Sequence, residues 1–220
     1  MNAAPMPAGP VLTQPPDPHP KTPQLKAPAG AIDCHIHLFG PASRFPFNPG
    51  SRYICEDALP QTAIALQDTL GLAGAVVVSG GGYGQDTRHL EEVLEQFPER
   101  FRGVALLPDD VTAEQVARLD RLGVRGARFV SPGHRGALPR LSQRVARLVA
   151  DSGWHIQFYP AGDDLVAHAQ ELLDLNMPVV LDHFAAIPAA GGTRQPAFEC
   201  LLRLLDTGRV WVKLSGPMRC

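Results

Sequence analysis

Seven short apolar runs recur along this chain of 220 residues, each parted from the next by an amphipathic stretch, and few architectures accept that rhythm. The runs are Ala31–Phe39, Ala75–Ser79, Gly103–Leu107, Val124–Val130, His155–Tyr159, Val179–His183 and Val210–Ser215. Between them, apolar residues return at helical spacing. Ala63, Leu66 and Leu70 are closed by Gly71, and Asp86 opens a stretch with Leu90, Val93, Leu94 and Phe97 on one face. Thr112 and Gln115 make a capping box with Val111 and Val116 as its hydrophobic staple, ahead of Leu119 and Leu122. Leu138, Leu141, Val145, Leu148 and Val149 face inward while Arg140, Arg144 and Arg147 form a solvated face. Asp163 caps Val166, Ala169, Leu172 and Leu173, and Phe198, Leu201, Leu202 and Leu205 precede Gly208. Strand, helix, strand in this order means parallel βα units with right-handed crossovers.

Two parallel architectures compete. A doubly wound sheet calls for a glycine-rich phosphate turn after its first strand, whereas here that place holds His35-Ile36-His37 and a long connection. A (β/α)₈ barrel fits better, because its active groups stand at the C-terminal ends of strands and polar residues gather there. His35 and His37 end the first strand, Ser79 the second, Tyr159 the fifth, His183 the sixth and Ser215 the seventh, with Arg128 near the end of the fourth. The third strand gives nothing polar. Closing such a barrel takes an eighth unit, roughly 60 to 80 further residues, so the expected fold is α/β, an incomplete barrel. On its own such a chain is expected to associate through its open strand edges and to turn over slowly.

Strand alternation sends Asp33, His35 and His37 to one side of the first strand, so two imidazoles converge. Arg128 is the second anchor, since a guanidinium inside an apolar strand needs a carboxylate or phosphate partner. Either a protein acid or a substrate anion is expected as the partner of Arg128; Asp182, next to His183, is expected to face the opposite way, so Asp33 is the protein acid left and a substrate anion is the favoured partner. Arg135 and Arg219 lie in loops that reach the same mouth. Ser79-Gly80-Gly81-Gly82-Tyr83-Gly84 lacks the Lys-Ser/Thr ending of a phosphate loop and reads as a close-approach loop whose N–H groups, with Ser79, can meet a carboxylate. The connection from Phe39 to about Asp57 carries Phe45, Phe47 and Tyr53, which suits a packed lid. His89, His134, His155 and His168 read as structural or solvated, and His19 as exposed.

A formal net charge of −2 gives no reason to expect nucleic acid or an anionic membrane. No apolar run approaches the ~18 residues of a membrane span and no leader is visible, so a cytoplasmic protein acting on a small molecule is expected. Cys34, Cys55, Cys200 and Cys220 are far apart and read as reduced thiols. Residues 1–30 hold nine prolines and read as a disordered tail, and residues 31–220 as one partial barrel domain. Oligomeric state stays open.

The segments Asp33-Cys34-His35-Ile36-His37-Leu38-Phe39-Gly40-Pro41 with Arg44-Phe45-Pro46-Phe47, Tyr83-Gly84-Gln85-Asp86, Arg102-Gly103-Val104-Ala105, Gly123 through Phe129, Leu181-Asp182-His183 and Lys213-Leu214-Ser215-Gly216 resemble the amidohydrolase superfamily. Within it the chain is most similar to the 2-pyrone-4,6-dicarboxylate lactonase and sugar-lactone branch. That resemblance implies hydrolysis of a carboxylated lactone by water, with His35, His37 and His183 polarising or holding the scissile carbonyl. Arg128, Arg135, Tyr159, Ser79, Tyr53 and Arg219 would contact the substrate carboxylates. The general base implied is an Asp on an eighth strand, beyond Cys220. No cofactor is expected, because metal-dependent relatives usually carry a histidine where the fifth strand has Tyr159. The alternatives are a metal-dependent decarboxylase or hydrolase of another branch, with one zinc or manganese ion on His35, His37 and His183, and a non-catalytic fragment of the fold.

Overall fold

The computed structural model describes residues 9–130, 141–161 and 164–220. Arg135, His134, Leu138, Arg140 and Asp163 lie outside the described residues. In chain order the elements are β1 (Val11–Leu12), β2 (Ile32–Ile36), β3 (Tyr53–Ile54), α1 (Pro60–Leu70), β4 (Gly74–Val78), α2 (Arg88–Gln96), β5 (Phe101–Leu106), α3 (Ala113–Leu122) and β6 (Val124–Val130). They continue as α4 (Gln143–Ala150), β7 (His155–Tyr159), α5 (Asp164–Asp174), β8 (Val179–Leu181), α6 (Pro196–Leu205) and β9 (Val210–Val212). All seven expected strands are present, as β2 and β4 through β9, and the fold class is α/β, with six α-helices between them among the described residues. The chain divides into two compact units, Met1–Gly103 and Val104–Cys220, and β5 runs across the division.

In the first unit β2 pairs in parallel with β4, and β4 neighbours β5. Ile32 lies opposite Gly74 and Asp33 opposite Ala75, yet Ile36 lies opposite Val77, so the register slips between Asp33 and Ile36. The cause is local: the Asp33 carboxylate accepts the His35 N–H at 2.9 Å, a side-chain bond that competes with the ladder. The tail expectation needs correction at Val11–Leu12, which pair in parallel with Tyr53–Ile54. Val11 N–H donates to Arg52 O and Thr13 N–H to Ile54 O, each at 2.9 Å. Backbone bonds make this pairing, because Val11 and Leu12 remain 51% and 65% exposed and their burial leaves no pattern to read.

In the second unit β6, β7, β8 and β9 are parallel neighbours in chain order. Arg128 stands opposite Gln157 and Val130 opposite Tyr159, while Leu181 lies between Phe158 and Val212. Phe129, Ile156, Phe158, Leu165, Leu172 and Leu204 are fully buried, as is Trp154, whose indole N–H donates to Asp120 Oδ1 at 2.9 Å. The capping box at Thr112 is present in both its bonds. Three helix faces are shifted from expectation: in α1 Leu66 is exposed and Gln67 buried, in α5 Val166 is exposed and Leu165 buried, and α6 is turned as well. In α6 the buried stripe is Ala197, Cys200, Leu201 and Leu204, at i, i+3, i+4 and i+7, which turns Leu202 outward to 47% exposure. β8 ends at Leu181 and β9 at Val212, earlier than their apolar runs. Among the described residues no helix is long and apolar enough to cross a membrane.

Candidate active site

In the first unit the ends of β2 and β4 meet the long connection and the glycine-rich loop. His35 and His37 bring their rings to a centroid distance of 5.0 Å, edge to face. His37 Nδ1 lies 2.7 Å from the carbonyl of Val78, an acceptor only, so Nδ1 carries the proton and the neutral ring keeps its lone pair on Nε2. The next turn explains the glycines. A Cβ on Gly80 would stand 2.7 Å from the Tyr53 hydroxyl and 3.4 Å from His37 Nδ1, and one on Gly82 would meet Phe39 at 2.8 Å and Phe47 at 2.9 Å. This is the close approach read from the sequence, and Gly82 N–H donates to the Tyr53 hydroxyl at 3.0 Å.

The aromatics of the connection pack as a lid would. Phe39 stacks on Phe47 at 5.3 Å and lies 5.9 Å from Tyr53 and 5.6 Å from Tyr83. His89, on α2, is buried in the same cluster, 5.0 Å from both Phe45 and Tyr83. Burial lowers its pKa, and a hydrogen bond with the Gly40 backbone opposes this, as do Glu92 and Asp86. The Tyr83 hydroxyl accepts the Gly40 N–H at 2.7 Å, and burial pushes its own pKa up.

The second unit assembles Arg128, Tyr159, His183 and Arg219. The Arg128 guanidinium lies 5.7 Å from the Tyr159 ring and that of Arg219 6.0 Å from it, with Arg219 donating to the Tyr159 hydroxyl at 3.3 Å. The His183 ring meets Tyr159 edge to face at 5.2 Å, and its Nδ1 is 2.9 Å from Ser215 Oγ.

Here the expectation about Asp182 is overturned. Arg128 donates from Nε at 3.1 Å and from Nη2 at 2.9 Å to Asp182 Oδ2, with both side chains buried. Alternation fails because β8 stops at Leu181, so Asp182 and His183 lie beyond the strand. His183, Phe184, Ala185 and Ala186 all have φ between +50° and +56°, a left-handed turn that re-aims the side chains before it. Such backbone costs about 1–2 kcal/mol per non-glycine residue and persists where the surroundings enforce it. Ala185 N–H donates to Asp182 O and Phe184 N–H to Lys213 O, which hold the turn against β9.

Two residues of this network were not singled out above. Gln157 Nε2 donates to Asp182 Oδ2 at 3.0 Å, and Lys213 Nζ donates to Gln157 Oε1 at 2.8 Å and lies 3.4 Å from Asp182 Oδ1. The signal that marked Arg128 marks them too, since each is a polar residue set between apolar neighbours, Gln157 within β7 and Lys213 just past the end of β9. His155, expected to be structural or solvated, is half-buried at the start of β7. Burial lowers its pKa first, and the charge of Lys213 adds to the effect. Cys34, Cys55, Cys200 and Cys220 are all free.

Residues 32–220 match the family model described as amidohydrolase. The chain belongs to the amidohydrolase family. Among amidohydrolases of known activity, it is 33% identical over 208 residues to the 2-pyrone-4,6-dicarboxylate hydrolase of Comamonas testosteroni, covering 91% of this chain and 67% of the relative. It is 29% identical to the 4-sulfomuconolactone hydrolase of Hydrogenophaga intermedia, over 87% of this chain and 64% of that one. The chain thus spans about two thirds of the length of these relatives. Among solved structures, a Pseudomonas putida protein named for 2-pyrone-4,6-dicarboxylic acid hydrolysis matches with a TM-score of 0.74 at 30% identity, covering 88% of this chain and 71% of its own. An Acinetobacter baumannii protein named for the same reaction, with citric acid bound, matches with a TM-score of 0.77 at 25% identity, over 86% of this chain and 72% of its own. The α/β fold is that of the lactonase branch, an incomplete (β/α)₈ barrel with seven strands.

Proposed function

We propose that this amidohydrolase acts on a small carboxylated lactone of the 2-pyrone-4,6-dicarboxylate kind, opening the ring by attack of water on the ester carbonyl. The observation that carries the reading is the buried Arg128, held by Asp182 beside Tyr159, Arg219 and His183. A guanidinium fixed in one orientation is suited to a planar carboxylate, and Arg219 on the same tyrosine supplies a second cation. The relatives named above act on anionic lactones, which fits a site built from arginines. His35, His37 and His183 are assigned to hold and polarise the scissile carbonyl, and Ser79, Tyr53, Tyr159, Arg135 and Arg219 to contact the carboxylates together with Arg128. Donors aimed at the oxyanion of the tetrahedral intermediate are each worth about 3–4 kcal/mol in the best-studied cases.

A second reading has its own support. The His37 Nδ1–H···O=C bond to Val78 is the arrangement that orients a metal-binding imidazole, with Nε2 as the ligand atom. In that reading His35, His37 and His183 hold one zinc or manganese ion, which when bound supplies Lewis-acid polarisation of the carbonyl. Elemental analysis of protein purified without chelator separates the two, since stoichiometric zinc or manganese selects the second.

Ring opening is followed by the loss of pyrone absorbance, and binding by calorimetry. Replacing Arg128 with Met should weaken binding of 2-pyrone-4,6-dicarboxylate by about tenfold or more, because a hydrogen bond to a charged group is worth about 1.5–3 kcal/mol. Unchanged affinity and unchanged turnover on every carboxylated lactone tried would overturn the assignment.

A further inference from the structure

Ser215 closes the seventh apolar run but lies past the end of β9 at Val212. Backbone bonds bring it to the left-handed turn, since Lys213 N–H donates to Leu181 O at 2.9 Å and Phe184 N–H to Lys213 O at 3.0 Å. Its hydroxyl stands 2.9 Å from Nδ1 of the buried His183, while the Tyr159 ring meets the imidazole edge to face at 5.2 Å. The next residue leaves room for the ring, because a Cβ on Gly216 would lie 3.1 Å from His183 Nδ1 and 3.3 Å from its Cγ. Turning the imidazole over about its Cβ–Cγ bond would put a carbon where Nδ1 stands and forfeit the hydroxyl, so this one bond fixes the ring's orientation. His37 and His183 differ in the kind of partner. The carbonyl on His37 can only accept, which places that proton on Nδ1. The hydroxyl on His183 can also donate. Among the described residues His183 Nδ1 is the one hydrogen-bond partner of that hydroxyl, and a proton donated there leaves the neutral imidazole with its N–H on Nε2.

From this geometry we infer that Ser215 is a positioning residue, whose hydroxyl donates to Nδ1 and holds His183 as the Nε2–H tautomer, a donor for the scissile carbonyl and for the oxyanion that forms from it. The inference rests on the lactone reading above and deepens it, and Ser215 is assigned no contact with the substrate. A metal-bound Nε2 would require the opposite tautomer, with Nδ1–H donating to the same hydroxyl, so the place of one proton separates the two readings.

The test is isotope-edited NMR of the full chain, labelled in its histidine ring nitrogens and kept where the rings are neutral, with the His183 signals identified by their loss in His183→Gln. Wild type should carry the His183 proton on Nε2. Ser215→Ala should lose that preference and populate both tautomers. It should also lower kcat for ring opening about three- to tenfold, as one hydrogen bond would, and leave KM for 2-pyrone-4,6-dicarboxylate unchanged. Ser215→Thr keeps a hydroxyl and should restore both the tautomer and kcat. Circular dichroism checks folding, and the wild-type tautomer decides the direction of the bond if the Ala variant does not fold. An Nδ1–H tautomer in wild type, a tautomer and kcat unchanged in Ser215→Ala, or both lost equally in Ser215→Thr would overturn the inference. If wild type neither binds nor opens the lactone while the Nε2–H tautomer is present in it and lost in Ser215→Ala, the lactone reading falls and the assignment of the bond stands.

Discussion

The two compact units fix their functional side chains by different physics. In the first, Phe39, Phe45, Phe47, Tyr53, Tyr83 and His89 pack ring against ring, and glycines at 80 and 82 let the chain pass close to them. In the second, one buried carboxylate gathers Arg128, Gln157 and Lys213. Aromatic packing needs no ion pairing, and it shapes a surface. A buried ionic network is costly to assemble and fails sharply when one member is lost, and it places charge. The first unit thus offers a packed aromatic surface, and the second a buried ionic network.

The largest expected effect lies in the second unit. Asp182→Ala leaves Arg128 and Lys213 buried without their carboxylate and should cost about 3–5 kcal/mol, read as a drop in the urea midpoint. A loss below about 1 kcal/mol would show that this network is not what holds the unit.

The two lowered histidines, one per unit, come next. His89 and His155 sit below the ordinary pKa of about 6.5 because burial disfavours their charged forms. The unfolded chain therefore binds more protons, and the stability they contribute is full above about pH 6.5 and is lost as pH falls through and below that value. Each can contribute a slope of up to about 1.4 kcal/mol per pH unit. His89→Phe should flatten its share, measured as the difference between unfolding at pH 7.5 and at pH 5.5. An unchanged slope would place the titration elsewhere.

Tyr83→Phe removes only the acceptor of the Gly40 N–H and keeps the ring in the cluster. It should cost about 0.5–1.5 kcal/mol. A cost of 3 kcal/mol or more would mean that polar bonds, and not packing, hold the first unit. The smallest effect is expected in the left-handed turn. Ala186→Gly relieves a φ of +50° at the loss of one buried methyl, worth about 0.8 kcal/mol, against about 1–2 kcal/mol of backbone cost. Its thermal midpoint should hold or rise slightly, whereas an alanine in relaxed backbone would lose stability.

The contrast also decides what could be read from sequence. Apolar period gave every barrel strand and the order of helices, because burial of one face is what those periods encode. Arg128 was legible as an anomaly in an apolar strand, Gln157 by the same rule, and Lys213 as a charge in the last apolar run although it lies past the end of β9. The aim of Asp182 was not. It depends on β8 ending at Leu181 and on a left-handed turn with no glycine to announce it. The pairing of Val11–Leu12 was equally silent, since exposed side chains on a backbone-bonded strand carry no periodic signal. The slip in β2 came from Asp33 bonding to the backbone, a competition that strand alternation ignores.

The central claim is that the second unit recognises carboxylates through Arg128. It is tested most directly by calorimetric titration of the wild-type chain with 2-pyrone-4,6-dicarboxylate and with uncharged 2-pyrone under one buffer. The claim predicts tight binding of the dicarboxylate, at least tenfold weaker binding of the uncharged ring, and loss of that difference in Arg128→Met. Equal affinity for the two rings in wild type, or a preference that survives in Arg128→Met, would contradict it.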